Sequence, residues 1–297
     1  MNIIRSILII PANNQKFIAK AFKRGADAVM LDLEDAVPFP QKMLARSMIK
    51  ASIPLVAKCG GQVQVRINNE SHMLKDDLEA SVHAGVDCIV IPKVETAEEV
   101  KTFDAYISKL ENDREIRSGS VKLGLVIESP KGILNLREIA TISSRVLFLS
   151  LGAEDYCFSL GITPSRDGVE LFHAISEVVT VAKAFDLIPI GVLGTITGIT
   201  DMEGFEMAAQ RARNIGFEGA PCIHPDQVEI LNRIFAPPPE EVENSKKLIS
   251  AFENAIEDGK GVIKVEGRMV DLAVYNRAKV IYERHQAIEE LEIKKGS

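Results

Sequence analysis

At 297 residues, with 46% apolar and 26% charged residues, the chain is long enough for one large core or for a core with a small appendage. Its net charge of −7 argues against a general nucleic-acid binder, which needs a basic surface. No apolar run approaches membrane-spanning length, and fold-like sequence begins by Arg5 without the apolar segment of a signal peptide, so a cytoplasmic protein with no membrane partner is expected.

The first three quarters of the chain repeat one rhythm: a short apolar run, a polar break, then a helical pattern. Strands are predicted over residues 6–11, 28–35, 62–68, 88–95, 122–129, 146–155, 187–194 and 219–225; the runs are short and rich in branched apolar residues. Helical spacing predicts helices over 14–25, 76–85, 96–110, 132–141, 171–185 and 201–216, several of them stopped by glycine. This alternation predicts a (β/α)8 barrel over residues 1–232 rather than an open doubly wound sheet. No Gly-x-Gly-x-x-Gly follows the first strand, which weakens a dinucleotide-binding alternative. After Asn232 the composition shifts. Ala236-Pro237-Pro238-Pro239-Glu240-Glu241 signals a helix start, residues 240–258 read as a helix, and Gly259-Lys260-Gly261 precedes an extended piece ending Lys264-Val265-Glu266. A last helix begins near Leu272. Residues 233–297 are therefore expected to be an appendage that covers a barrel mouth or meets a neighbouring subunit. The cysteines Cys59, Cys88, Cys157 and Cys222 have no metal-type or redox-type spacing and read as thiols of a reducing compartment.

In such barrels active sites gather at the C-terminal ends of the strands. Those ends carry Asp32, Glu34 and Asp35, Arg66 and Asn68, Lys93 and Glu95, Glu128, Asp155, and His224. Acids where apolar strands surface are costly unless a cation, partner or substrate compensates them. Glu128 and Asp155 on neighbouring strands suit one hard divalent cation; capping the next helix or pairing with a lysine is the structural alternative. Small residues in Gly152-Ala153-Glu154-Asp155 leave backbone N–H groups where a substrate carboxylate could sit. Arg66 is expected to face the mouth, where its planar charge suits a carboxylate or a developing enolate oxygen. A structural pair with Glu34 or Asp35 is the other reading of Arg66, and both can hold, because a catalytic arginine needs an orienting partner. His224 reads equally as structural or catalytic.

The same residues resemble the citrate lyase β-subunit-like (HpcH/HpaI aldolase/citrate lyase) family of CoA-ester lyases. The resemblance rests on an ordered set of short motifs: Arg5-Ser6-x-Leu8-x-x-Pro11, Leu31-Asp32-Leu33-Glu34-Asp35, Lys42-x-x-Ala45-Arg46, Val65-Arg66-Ile67-Asn68, Pro92-Lys93-Val94-Glu95, Ile127-Glu128-Ser129, Gly152-Ala153-Glu154-Asp155, Ile223-His224-Pro225 and Gly267-Arg268-Met269-Val270-Asp271. It implies a barrel of the phosphoenolpyruvate/pyruvate superfamily, assembled as a homo-oligomer, a trimer or hexamer. It implies magnesium on Glu128 and Asp155, substrate contact by Arg66, Ala153 and Glu154, and CoA contact by Arg5, Lys20 and His224. Asp271 would be an acid/base delivered by the lid of an adjacent subunit, with Glu34 and Asp35 supporting Arg66.

The reaction so implied is magnesium-dependent cleavage of a β-hydroxyacyl-CoA, of the citramalyl-CoA or malyl-CoA kind, to an acyl-CoA and a 2-oxo acid. Two alternatives stay open: a subunit acting on an acyl-carrier-protein thioester within a complex, and a CoA-independent 2-oxo-acid aldolase. Three residues depart from the family pattern, Ala12, Gly191 and Ala220, and the run Pro189-Ile190-Gly191-Val192-Leu193-Gly194 is expected to line a differently shaped acyl channel.

Overall fold

Strands and helices alternate from Ser6 to Ile234, in the order β1 (Ser6–Pro11), α1 (Gln15–Ala21), β2 (Ala28–Asp32), α2 (Lys42–Val56), β3 (Gln62–Arg66), α3 (Ser71–Ser81), β4 (Cys88–Ile91) and α4 (Ala97–Asp113). The second half follows as β5 (Lys122–Ile127), α5 (Pro130–Leu134), α6 (Leu136–Thr141), β6 (Val146–Leu151), α7 (Ala153–Leu160), α8 (Phe172–Ala184), β7 (Ile188–Ile190), α9 (Met202–Ile215), β8 (Ala220–Cys222) and α10 (Pro225–Ile234). This computed structural model describes residues 2–194, 200–257, 261–265 and 267–296. Gly259, Lys260 and Glu266 of the predicted extended segment lie outside the described residues.

The eight strands are parallel and neighbours in space follow chain order from β1 to β7, with β8 on the far side of β1. The last seam is the thinnest. β7 and β8 meet through one bridge, Ile190 to Gly219, where the Gly191 N–H donates to the Gly219 carbonyl at 2.8 Å and the Glu218 N–H to the Pro189 carbonyl at 3.0 Å. Pro189 and Pro221 have no N–H to give, which keeps both strands short. Gly219 is required where it stands, since a Cβ there would fall 1.8 Å from the Ile4 carbonyl oxygen. The eight-membered (β/α)8 barrel expected from the sequence is present, closed by that seam.

Alternate residues of each strand face the barrel axis. The inner apolar cluster holds Ile7, Met30, Val90, Phe148 and Ile190 among others. At the N-terminal end, buried ion pairs tie the strand starts together. Arg5 donates from Nε and Nη2 to Asp27, each at 2.8 Å, and Arg145 donates to Asp104 at 2.5 Å and to both Glu111 oxygens at 2.9 and 2.7 Å.

The predicted strands end early at the mouth. β6 stops at Leu151, so Ala153, Glu154 and Asp155 belong to the first turn of α7 rather than to a strand end. The predicted helix over 132–141 is broken at Asn135, whose side-chain amide donates to the Glu95 carbonyl at 2.8 Å. Helix α2 carries Ala45, Ile49, Ile53 and Val56 at helical spacing and takes Pro54 in its last turn.

Phe235 onward, with the first residues of the chain, forms a separate compact unit, two residues later than the predicted boundary. Here α11 (Pro239–Glu257) packs on α12 (Leu272–Gly296), with Phe252 stacked on Tyr275 at 4.9 Å between ring centroids. A two-stranded antiparallel hairpin, β9 (Ile263–Val265) with β10 (Arg268–Val270), connects the helices. Among the described residues no helix is long and apolar enough to cross a membrane.

Candidate active site

A cavity of about 380 Å³ opens at the C-terminal ends of the strands. Its rim carries Asp32, Asp35, Arg66, Glu128, Glu154 and Asp155. Strand register builds the first part of it. β2 and β3 pair so that Asp32 lies directly beside Arg66, and the guanidinium donates from Nε and Nη2 to the two Asp32 oxygens, both at 2.7 Å. Arg66 Nη1 reaches Glu34 at 3.0 Å and Asp35 at 3.8 Å. The expected pairing with Glu34 or Asp35 is thus secondary; the principal partner is Asp32, because a bidentate fork needs a carboxylate directly across the strand pair.

A second layer fixes the loop after β2. The Lys42 ammonium donates to the Leu33 carbonyl at 2.7 Å, the Glu34 carbonyl at 2.6 Å and Asn68 Oδ1 at 2.8 Å. Asn68 in turn donates to Asp77 at 2.6 Å, and Asp77 takes a further hydrogen bond from Arg46. The motifs around Lys42, Arg46 and Asn68 therefore hold the backbone that carries Glu34 and Asp35.

Lys93 joins the arginine side of the site to Glu128. Its backbone is left-handed, with φ of 54°, a conformation costly for a residue with a Cβ. That twist aims the Lys93 N–H at Glu128 Oε2, 2.7 Å away, while Nζ donates to Glu34 Oε1 at 2.8 Å. On the other flank Gly152 makes room for the same carboxylate. A Cβ at 152 would lie 2.2 Å from Glu128 Oε1.

Burial pushes the Glu128 carboxyl up to about 8, and the charges of Glu34 and Asp155 add to this against the Lys93 hydrogen bond. Burial also raises Glu34, with Arg66 and Lys93 opposing. Glu34 Oε2 is buried and faces Arg66 Nη1 at 3.0 Å in an ion pair without a well-aligned hydrogen bond. For Arg66 burial acts to lower the pKa, but the hydrogen bonds and charge of Asp32 outweigh it and hold the group charged. The mouth thus gathers more carboxyl groups than its own cations pair, and burial makes their ionisation costly without a further cation.

No cluster of three or more His, Cys, Asp or Glu side chains forms a ready-made metal cage among the described residues. Glu128 and Asp155 both line the cavity, near enough that the Asp155 charge helps raise Glu128. Two carboxylates with space for water and substrate oxygens fit magnesium, which dehydrates reluctantly and needs few protein ligands. The space left by Gly152 and the high Glu128 pKa are consistent with that fit.

Other expected residues fall elsewhere. Arg5 is a correction: it is 4% exposed, bound to Asp27 and at the barrel's N-terminal end, so it cannot meet a ligand at the mouth. Lys20 is exposed in the last turn of α1 and does not line the cavity. His224 also lies off the lining, and its Nδ1 accepts from the Asp226 N–H at 3.3 Å; the neighbouring Ile223 lines the cavity instead. Glu34 is buried behind Arg66, whereas Asp35 reaches the rim. Asp271 lies in the second unit, where its carboxylate caps α12 by accepting from the Val274 N–H at 3.0 Å. Ala12 is buried with its N–H on the Asp32 carbonyl at 2.9 Å, and Ala220 is buried in β8. Ile190, Gly191, Val192 and Gly194 line the cavity.

Residues 5–225 match the HpcH/HpaI aldolase/citrate lyase family. The chain is 35% identical over 288 residues to citrate lyase subunit beta of Haemophilus influenzae, covering 96% of this chain and 97% of that protein. It is 32% identical over 268 residues to (3S)-malyl-CoA thioesterase of Cereibacter sphaeroides, covering 90% and 89%. The solved structure of CitE from Mycobacterium tuberculosis, in complex with magnesium, acetoacetate and coenzyme A, matches with TM-score 0.73 at 27% identity, over 95% of this chain and 97% of that one.

Proposed function

The chain belongs to the HpcH/HpaI aldolase/citrate lyase family, and from that premise we propose that it cleaves a β-hydroxyacyl-CoA of the citramalyl-CoA or malyl-CoA type into an acyl-CoA and a 2-oxo acid. The observation that carries the proposal is the pairing of a surplus of carboxylates, Glu128 and Asp155, with one fixed guanidinium, Arg66, on the wall of a single cavity. A solved relative that binds magnesium and coenzyme A supports it.

Glu128 and Asp155 would hold magnesium. When bound, the ion supplies Lewis-acid stabilisation of negative charge on the substrate oxygens. The first turn of α7, at Ala153 and Glu154, directs helix N–H groups to the cavity, where the carboxylate of the 2-oxo-acid half would be received. Arg66 is locked by Asp32 and cannot lose its charge, so it would stabilise the oxyanion that grows on the thioester carbonyl as the C–C bond breaks. Glu34 and Asp35 position Arg66. Asp271 is assigned the proton transfer to the acyl carbon, delivered from the lid of an adjacent subunit in a trimer or hexamer, which is also the assembly proposed for this cytoplasmic enzyme.

The near-complete mutual coverage with a citrate lyase β subunit supports a second reading, action on an acyl-carrier-protein thioester within a complex. Incubating the purified chain with citramalyl-CoA, malyl-CoA and citryl-CoA, with magnesium and then with chelator, separates the readings. Release of a 2-oxo acid and an acyl-CoA, lost with chelator, is expected. Release of free CoA and the intact hydroxy acid would mark a thioesterase. No turnover by the folded, magnesium-bound chain would favour the carrier-protein complex.

A further inference from the structure

Below its charged rim the cavity changes character. The inward positions beneath Asp32, Glu128 and Ser150 are Met30, Val126 and Phe148, and Ile7, Val90 and Ile190 complete a hydrocarbon wall. Phe148 fills the base of this space because residue 124 is glycine; a Cβ there would lie 2.1 Å from Phe148 Cζ. Ile9 and Val126 are only half-buried, so part of the wall stays open to whatever occupies the cavity.

Polar partners for a ligand are few below the rim. Among the described residues lining the cavity Ser150 supplies the hydroxyl and Arg66 the single cationic side chain. Arg66 already gives Nε and Nη2 to Asp32, with Nη1 3.0 Å from Glu34. Five lining side chains are carboxylates: Asp32, Asp35, Glu128, Glu154 and Asp155.

We infer that this wall selects 2-oxo acids with one carboxylate and a short hydrocarbon substituent, the substituent lying against the half-buried Ile9 and Val126. The inference rests on the reading of the rim as the site that receives the 2-oxo acid. A first carboxylate would meet the cation and the start of α7. A second, placed below, would lose its water against aliphatic carbon with the Ser150 hydroxyl as its side-chain donor among the described residues, and above it would face like charge. A methyl or ethyl group there loses nothing and removes apolar surface from water. The thioesters favoured by the lyase would then carry methyl or ethyl, not carboxymethyl, on the hydroxyl-bearing carbon.

The test is calorimetric titration of the magnesium-loaded full chain with pyruvate, 2-oxobutyrate and oxaloacetate, which needs no turnover. 2-Oxobutyrate and oxaloacetate have the same carbon count and differ in a methyl against a carboxylate. The expected result is binding of 2-oxobutyrate at least about tenfold tighter than oxaloacetate, with pyruvate also bound. In Ile9→Arg, which adds a cation at a half-buried wall position, that ratio should fall at least about threefold. Equal or tighter binding of oxaloacetate by the unmodified chain would overturn the inference while leaving lyase activity intact. Binding of pyruvate but not 2-oxobutyrate would also overturn it, since the wall would then select by size alone. Thioester cleavage that fails while the predicted binding order holds would count against the lyase reading and not against this one.

Discussion

The two ends of the barrel treat their arginines in opposite ways. At the N-terminal end Arg145 is satisfied by Asp104, Glu111, Ser108 and the Val121 carbonyl, and Glu111 also accepts from the Gly119 and Val121 N–H groups. Burial alone would raise Glu111 and Asp104, but their hydrogen bonds to Arg145 and its neighbours hold both below the usual carboxylate range. At the C-terminal end Arg66 is shared among Asp32, Glu34 and Asp35, while Glu128 and Asp155 share the cavity without a guanidinium of their own. There burial wins, and Glu34 and Glu128 are raised. The matched end serves stability. The mismatched end holds carboxyl groups in excess of its cations, the arrangement proposed to take up magnesium and substrate.

Substitutions should break this contrast in graded steps. Asp155→Asn should lower thioester cleavage by at least about 1,000-fold with circular dichroism unchanged, since it removes one of two proposed metal carboxylates. Unfolding of this variant, or retained turnover, would count against the division of labour. Arg145→Met should act at the other end, lowering unfolding free energy in urea by about 3–5 kcal/mol because it strands buried carboxylates, with kcat and KM unchanged where the fold persists. Gly152→Ala should drive a Cβ into Glu128 and reduce magnesium affinity and turnover by about 100-fold.

The pH dependence of stability should differ in sign between the ends. Asp104 and Glu111 are depressed in the fold, so their contribution is full above the unfolded carboxylate values near pH 4 and is lost as pH falls through the folded values. The urea midpoint should therefore drop below about pH 4, and Arg145→Met should flatten that drop. Glu128 is raised to about 8, so the metal-free fold binds a proton that the unfolded chain has released, and stability falls as pH rises toward that value. Glu128→Gln should accordingly stabilise the metal-free protein at neutral pH by on the order of 1 kcal/mol in urea titrations, while impairing catalysis.

The contrast also marks what could be read from the chain. Apolar runs bounded by turns located the eight barrel strands, and β1 coincides with its predicted limits of Ser6 and Pro11. Acids at strand ends pointed to the mouth because burying them is costly without compensation. Three features were hidden for physical reasons. The Asp32–Arg66 fork depends on register between two strands, which neither strand encodes alone. The β6–α7 junction was obscured because Ala153 and Tyr156-Cys157 prolong an apolar run across a helix start. The left-handed Lys93 carries no glycine or asparagine to announce it, yet its N–H orients Glu128. Arg5 was misplaced for the converse reason: a motif position gives no indication of which end of the barrel its side chain serves.

Calorimetric titration of magnesium into the purified protein and into Glu128→Gln tests most directly whether the unmatched charge at the mouth is a cation site. One site per chain is predicted, lost or weakened at least about 30-fold in the variant, with the variant folded and more heat-stable without metal. Equal magnesium binding by both proteins would contradict the account, because the excess acid at the mouth would then serve something other than a cation.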